Sequence, residues 1–174
     1  MQYFRLQQDS DFQNTPFIPA PVAGIDWRHL LSGKGEHIED ITVFPLHNRF
    51  PLDCLDLLDK QFFMISGLLK DVILLYLPKV VWKTVVLIDT LQNQHHDYYL
   101  PIFQPVECLS ETSVSTTDNS LVKDLVLKEA KIKKQTIFRV AHQKETIIAA
   151  RLDAAESILR RKPRGVKISR IKTI

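Results

Sequence analysis

The residues able to do chemistry fall into four groups. His95 and His96 are adjacent, Asp53, Asp56 and Asp59 recur every third position, Cys54 and Cys108 stand apart, and basic residues crowd between 151 and 174. Adjacent histidines point to different sides of a strand or helix, which is poor geometry for a shared metal. His29, His37, His47 and His142 make neither HxxxH nor HExxH, so solvated loop histidines are the expected state and no metal is expected. The cysteines form no CxxC pair and read as free thiols in a reducing compartment. At i, i+3, i+6 the three aspartates drift around a helix, so a solvated helix face beside Leu55 and Leu58 is expected, not an acid–base pair.

Nucleophile and phosphate motifs are missing. No GxSxG elbow occurs, and glycines at 24, 33, 35, 67 and 165 spell neither GxGxxG nor a P-loop. That removes most nucleotide-dependent enzymes, and neither catalysis nor a cofactor is expected. A triad assembled from distant residues, in an uncatalogued small enzyme, stays open.

Charge is where the sequence is least even. Residues 151–174 hold eight Lys or Arg against two acids, a local balance of +6, while the other 150 residues carry 15 basic and 18 acidic side chains, a balance of −3. The overall +3 is therefore a sum of unlike parts. A basic terminus suits nucleic acid, an anionic surface or an acidic protein. No aromatic residue lies within it to stack on bases, which disfavours nucleic acid. Arg160, Arg161 and Arg164 are the candidate partner contacts, against the plainer reading of a solvated helix end and outward strand face. Trp27 and Trp82 read as core before interface anchors.

The elements that position these groups follow from length and pattern. A chain of 174 residues fits one domain. With 45% hydrophobic and 25% charged residues, it has enough apolar material for a core and is not disordered as a whole. The first ten residues lack the basic start and apolar run of a signal peptide. The most apolar region, 67–91, is broken by Lys70, Asp71, Pro78, Lys79 and Lys83, too many charges for a membrane span. A cytoplasmic protein with no membrane association is expected.

Residues 1–50 read as an irregular wrap with short strands: one over 3–6, then prolines at 16, 19 and 21 that impose extended backbone, then a strand over 41–44 stopped by Pro45. Residues 51–174 read as the core of one α+β domain. Ser66 is placed to cap a helix over 67–77 with Leu68, Leu69, Val72, Ile73 and Tyr76 on its buried face. Residues 80–90 and 97–109 read as partner strands, the second interrupted by Pro101 and Pro105, with 92–96 as an exposed connection. Residues 110–120 form a polar loop that is solvent-exposed or mobile. Short strands follow over 121–128, 136–141 and 146–150. A helix over 152–162 has Leu152, Ala155, Ile158 and Leu159 as its stripe, acids first and bases last as the helix dipole favours. A final strand spans 166–171. Strands and helices are grouped, so the fold class is α+β, with a mixed or mainly antiparallel sheet and two or three helices.

The second half of the chain resembles bacterial immunity proteins of polymorphic toxin systems, namely the families numbered eleven and forty-three in that series, also catalogued as a domain of unknown function. Phe62-Phe-Met-Ile-Ser-Gly-Leu-Leu-Lys-Asp-Val72 is similar to the family's strand, Ser, then helix segment. Asp97-Tyr-Tyr-Leu100 with Val106-Glu-Cys-Leu-Ser110 is similar to its tyrosine strand and Cys-Leu element. Leu125-Val-Leu-Lys-Glu-Ala-Lys-Ile132 with Ile137-Phe-Arg-Val140 resembles its most recognisable block, and 147–159 with Gly165-Val166 its closing strand, helix and strand. The resemblance covers roughly residues 50–172; it departs at Gly67, where the family often carries an acid. It implies a non-enzymatic protein that binds a cognate toxin domain and neutralises it by occlusion. Such a complex buries about 1,600 Å² in total, anchored by a few aromatic and Arg side chains. Charge alone, not the resemblance, points to Arg160, Arg161 and Arg164, with the 110–120 loop, as contacts. The alternative is a small nucleic-acid-binding or other interaction module using the same basic segment.

Overall fold

The computed structural model describes residues 1–18, 25–115, 122–142 and 144–174. In chain order its elements are β1 (Tyr3–Gln8), α1 (Trp27–Ser32), a 3-10 turn (Gly35–His37), β2 (Ile41–Leu46), β3 (Leu57–Leu58), β4 (Met64–Ile65) and α2 (Gly67–Tyr76). There follow β5 (Val81–Asp89), β6 (Gln94–Ile102), β7 (Pro105–Val106), β8 (Val114–Ser115), β9 (Val122–Asp124) and β10 (Val126–Leu127). The chain closes with α3 (Glu129–Ile132), β11 (Ile137–Val140), β12 (Ile147–Arg151), α4 (Leu152–Leu159) and β13 (Val166–Thr173). The fold is α+β with mixed sheets, the two longer helices standing where the periodicity puts them and two short ones, α1 and α3, added.

One sheet has the order β10-β13-β1-β12-β11-β7, the other β2-β5-β6-β4-β3, and β8 pairs with β9. Residues 1–50, read from sequence as an irregular wrap, supply an interior strand. β1 is antiparallel to both β12 and β13, with Leu6 opposite Ile148 on one side and Ile168 on the other. β2 runs to Leu46 through Pro45, which does not stop it. The reason is position: among the described residues β2 is an edge strand with β5 as its one neighbour, and an edge tolerates a residue without an N–H. β6 likewise passes through Pro101, because β4 pairs with it only at Tyr99.

In β5 the buried residues alternate from Lys83 through Val85 and Leu87 to Asp89, the period of a strand with one face on a core. The hairpin to β6 is tighter than the expected 92–96 connection. The Asp89 carboxylate accepts from the N–H groups of Leu91 and Gln92, and Asn93 takes φ +52°; asparagine tolerates this left-handed backbone better than most residues. His95 and His96 thus sit in β6, opposite Ile88 and Leu87, on alternate faces.

β12 is buried on both sides. Ile148 and Ala150 join a core with Leu69, Val72 and Ile73 of α2 and Ala154, Ala155 and Ile158 of α4. Ile147 and Ala149 join a second with Tyr3, Leu127, Ile132 and Phe138. Such strands read as unbroken apolar runs. The helices bury narrower faces than expected: Leu68 of α2 and Leu152 and Leu159 of α4 are exposed, and α4 ends at Leu159, leaving Arg160 to Lys162 just beyond it. Residues 110–115 are exposed at Glu111, Thr112 and Val114, as expected, yet the segment is fastened. Ser113 Oγ donates to the Val126 carbonyl (2.9 Å) and accepts from its N–H (3.1 Å), and Val114 pairs with Asp124. Residues 116–120 of that expected loop, and Pro19 and Pro21, lie outside the described residues.

Candidate binding cleft

β11 is buried at all four positions, and its third residue is Arg139, 3% exposed. Parity within the strand puts Arg139 on the Ile137 side, away from Phe138 and Val140, opposite Pro105 of β7 and Ile148 of β12. Its guanidinium meets backbone. Nη1 donates to the carbonyls of Leu30 (3.0 Å) and Leu31, and Nη2 to that of His142 (3.2 Å). Leu30 and Leu31 belong to the last turn of α1, whose carbonyls lack helical partners and carry the negative end of the helix dipole. Gly33 ends α1 with φ +71°, and its carbonyl accepts from Gln104 Nε2 (3.0 Å), which fixes that terminus beside β11.

Among the described residues no carboxylate pairs with Arg139, and its buried Nε has no hydrogen-bond partner. Burial pushes the guanidinium down to about 10, still high enough to hold its proton at neutral pH. An unpaired buried cation costs several kcal/mol even after relaxation. Carbonyl dipoles offset part of that cost.

Arg139 lines a cleft of about 830 Å³ together with Arg28, Leu31, Pro105, Lys128 and Lys131; Glu107, Leu109 and His142 complete its chemistry. Arg28 is held by Asp26, whose carboxylate it draws down to about 2 by hydrogen bonding. Lys128 reaches Glu111 at 3.3 Å. Lys131, exposed on α3, makes no ion pair or hydrogen bond through its ammonium among the described residues. His142 Nδ1 accepts from the Glu145 N–H (3.0 Å), so in the neutral ring Nε2 carries the hydrogen and is a donor. Four cations and the His142 imidazole thus line the cleft with one carboxylate, Glu107; Arg28 and Lys128 are already paired with Asp26 and Glu111, which leaves Lys131 and Arg139 without a carboxylate among the described residues. The arrangement can hold a negatively charged group.

The residues singled out by charge lie elsewhere: Arg160, Arg161 and Arg164 do not line this cleft. Arg160 reaches Glu156 at 3.6 Å across one helical turn, and Arg161 Nη1 donates to Ser157 O (2.8 Å) and Oγ (3.1 Å). Arg164 is a structural fastener. Its side chain pairs with Asp53, and it lies 5.2 Å from the Phe12 ring centroid.

Asp53, Asp56 and Asp59 lie on no helix, contrary to the spacing argument; they flank and precede β3, with Leu55 and Leu58 buried. Periodicity misled because each aspartate answers a distant partner: Asp53 the Arg164 side chain, Asp56 the Ser66 hydroxyl (2.6 Å), and Asp59 the Gln8 N–H (3.0 Å). Ser66 precedes α2 but makes no side-chain cap, because its hydroxyl donates to Asp56.

Cys54 and Cys108 are free thiols, each pushed up to about 11 by burial, which suppresses the thiolate at neutral pH. Among the described residues no group of three His, Cys, Asp or Glu could hold a metal. The rings of His29 and His37 stack with centroids 4.7 Å apart, a contact that spacing did not suggest. Trp82 packs against the core beside α2, while the Trp27 side chain lies outside what the structure describes. No described helix is long and apolar enough to cross a membrane.

The missed signal was legible. Ile137-Phe-Arg-Val140 carries one charge in a run with no polar alternation, and a charge on a strand buried on both faces needs a reason. The chain matches no protein-family model and no curated protein.

Proposed function

We infer that this protein binds a cognate bacterial toxin domain in the cytoplasm and neutralises it by occlusion, without catalysis of its own. The observation that supports this most is where the family-like block lies. Residues 125–132 and 137–140, the most recognisable part of the resemblance, supply Lys128, Lys131 and Arg139, three of the four cations on the wall of the 830 Å³ cleft. The cations of this concave surface come from α1, α3 with its N-cap, and β11, and a surface already shaped for its partner lowers the entropic cost of association. Arg160 and Arg161 stand beyond the α4 C-terminus as further exposed positive charges outside the cleft.

The test is co-expression with a candidate toxin domain taken from a neighbouring reading frame. The expected result is a complex that survives purification and a toxin made inactive within it. Separate elution of the two proteins with the toxin still active would remove the proposal.

A further inference from the structure

Two independent features meet in the cleft. The first is Arg139, buried, charged and with no carboxylate partner among the described residues, its Nε left without a hydrogen bond. The second is Lys131, which lines the same cleft and whose exposed ammonium engages no described group. The carbonyls of Leu30, Leu31 and His142 compensate the Arg139 charge only in part, and a carboxylate arriving in the cleft would add the full negative charge that carbonyl dipoles do not supply.

We propose that the cleft seats an acidic segment of a protein partner, with a carboxylate entering between Lys131 and Arg139. This rests on the toxin-binding reading and names the chemistry the partner must present. Two features favour a carboxylate side chain over a nucleic-acid backbone. Among the described residues no Phe, Tyr or Trp lines the cleft to stack on bases. Leu31, Pro105, Leu109 and Ala141 give the walls apolar area suited to the stems of Glu or Asp and their neighbours. His142, its Nδ1 occupied by the Glu145 N–H, presents Nε2–H as a further donor on this lining.

Fluorescein-labelled octaglutamate is the probe, followed by anisotropy at low salt against the full chain. Binding is expected to weaken about tenfold in Lys131→Glu and to stay unchanged in Lys167→Glu, which reverses an exposed charge on β13 outside the cleft. Arg139→Lys, which keeps the charge but loses the fork, is expected to weaken binding while circular dichroism and the urea midpoint report whether the fold is kept. Equal loss in Lys131→Glu and Lys167→Glu, or no loss in either, would overturn the proposal. So would tighter binding of a labelled DNA duplex through the same residues. Toxin association that persists in Lys131→Glu while octaglutamate does not bind would overturn the cleft assignment alone. Octaglutamate binding lost in Lys131→Glu, with no toxin association at all, would support the site and remove the neutralisation reading.

Discussion

Arg164 and Asp56, 108 residues apart, hold each other through two backbone-directed hydrogen bonds: the Arg164 N–H donates to Asp56 Oδ2 at 2.6 Å, and the Asp56 N–H donates to the Arg164 carbonyl at 2.9 Å. The same carboxylate accepts from the Ser66 hydroxyl. One side chain therefore joins the loop before β13, the loop before β3 and the start of α2. Asp56→Ala removes both side-chain bonds and leaves their donors unpaired. The expected loss is about 2 kcal/mol of unfolding free energy, read from urea denaturation; an unchanged midpoint would contradict this role.

The turn carrying Arg164 depends on Gly165, which has φ +71°. A Cβ there would lie 2.6 Å from Leu55 Cδ1, inside a buried contact. Gly165→Ala combines left-handed strain with that clash and is expected to cost roughly 2 kcal/mol or more. Thermal unfolding checks it, and a melting temperature equal to wild type would show that the turn relaxes freely.

Asp59 gives a pH signature. Burial raises its carboxyl above the ordinary value of 3.8, although the Gln8 N–H opposes the shift. Between the ordinary and the raised value the folded state keeps a proton that the unfolded state has lost, so this group's contribution to stability falls as pH rises through that window. Asp59→Asn does not titrate there. The variant is expected to gain stability relative to wild type as pH rises from about 3 to 7, followed by urea midpoints. A difference that does not vary with pH would contradict the assignment.

Arg160 and Arg161 are engaged by Glu156 and Ser157, but Arg160 remains largely exposed at the cationic end of the chain. Reversing both charges is expected to slow toxin association and flatten its salt dependence, while leaving dissociation nearly unchanged, as steering by rim charges does. Stopped-flow association at several salt concentrations separates the two rates. A faster dissociation with unchanged association would place these residues inside the contact instead.

The fold class and most strands were legible because burial on one or both faces writes itself as a period of two or an apolar run, as in Val81–Asp89 and Ile147–Arg151. Long-range partners were not. Nothing local tells that Asp56 answers Arg164, so three aspartates at regular spacing looked like a helix face. Pro45 looked like a stop because edge position is a property of the sheet, not of the strand. Net charge drew attention to 151–174, where Arg151 and Arg160 pair within their own turn and Arg164 reaches the distant Asp53. The buried Arg139, a single charge in an apolar strand, drew no attention because a charge count takes no account of burial.

The central claim, neutralisation by direct binding, is tested most directly by titrating this chain into a purified candidate toxin domain, taken from a neighbouring reading frame, while toxin activity and complex mass are followed together. Activity falling to baseline at a fixed molar ratio, with one complex of the summed mass, is the result the account predicts. Full toxin activity at a large excess of this chain, with both proteins remaining separate, would contradict it.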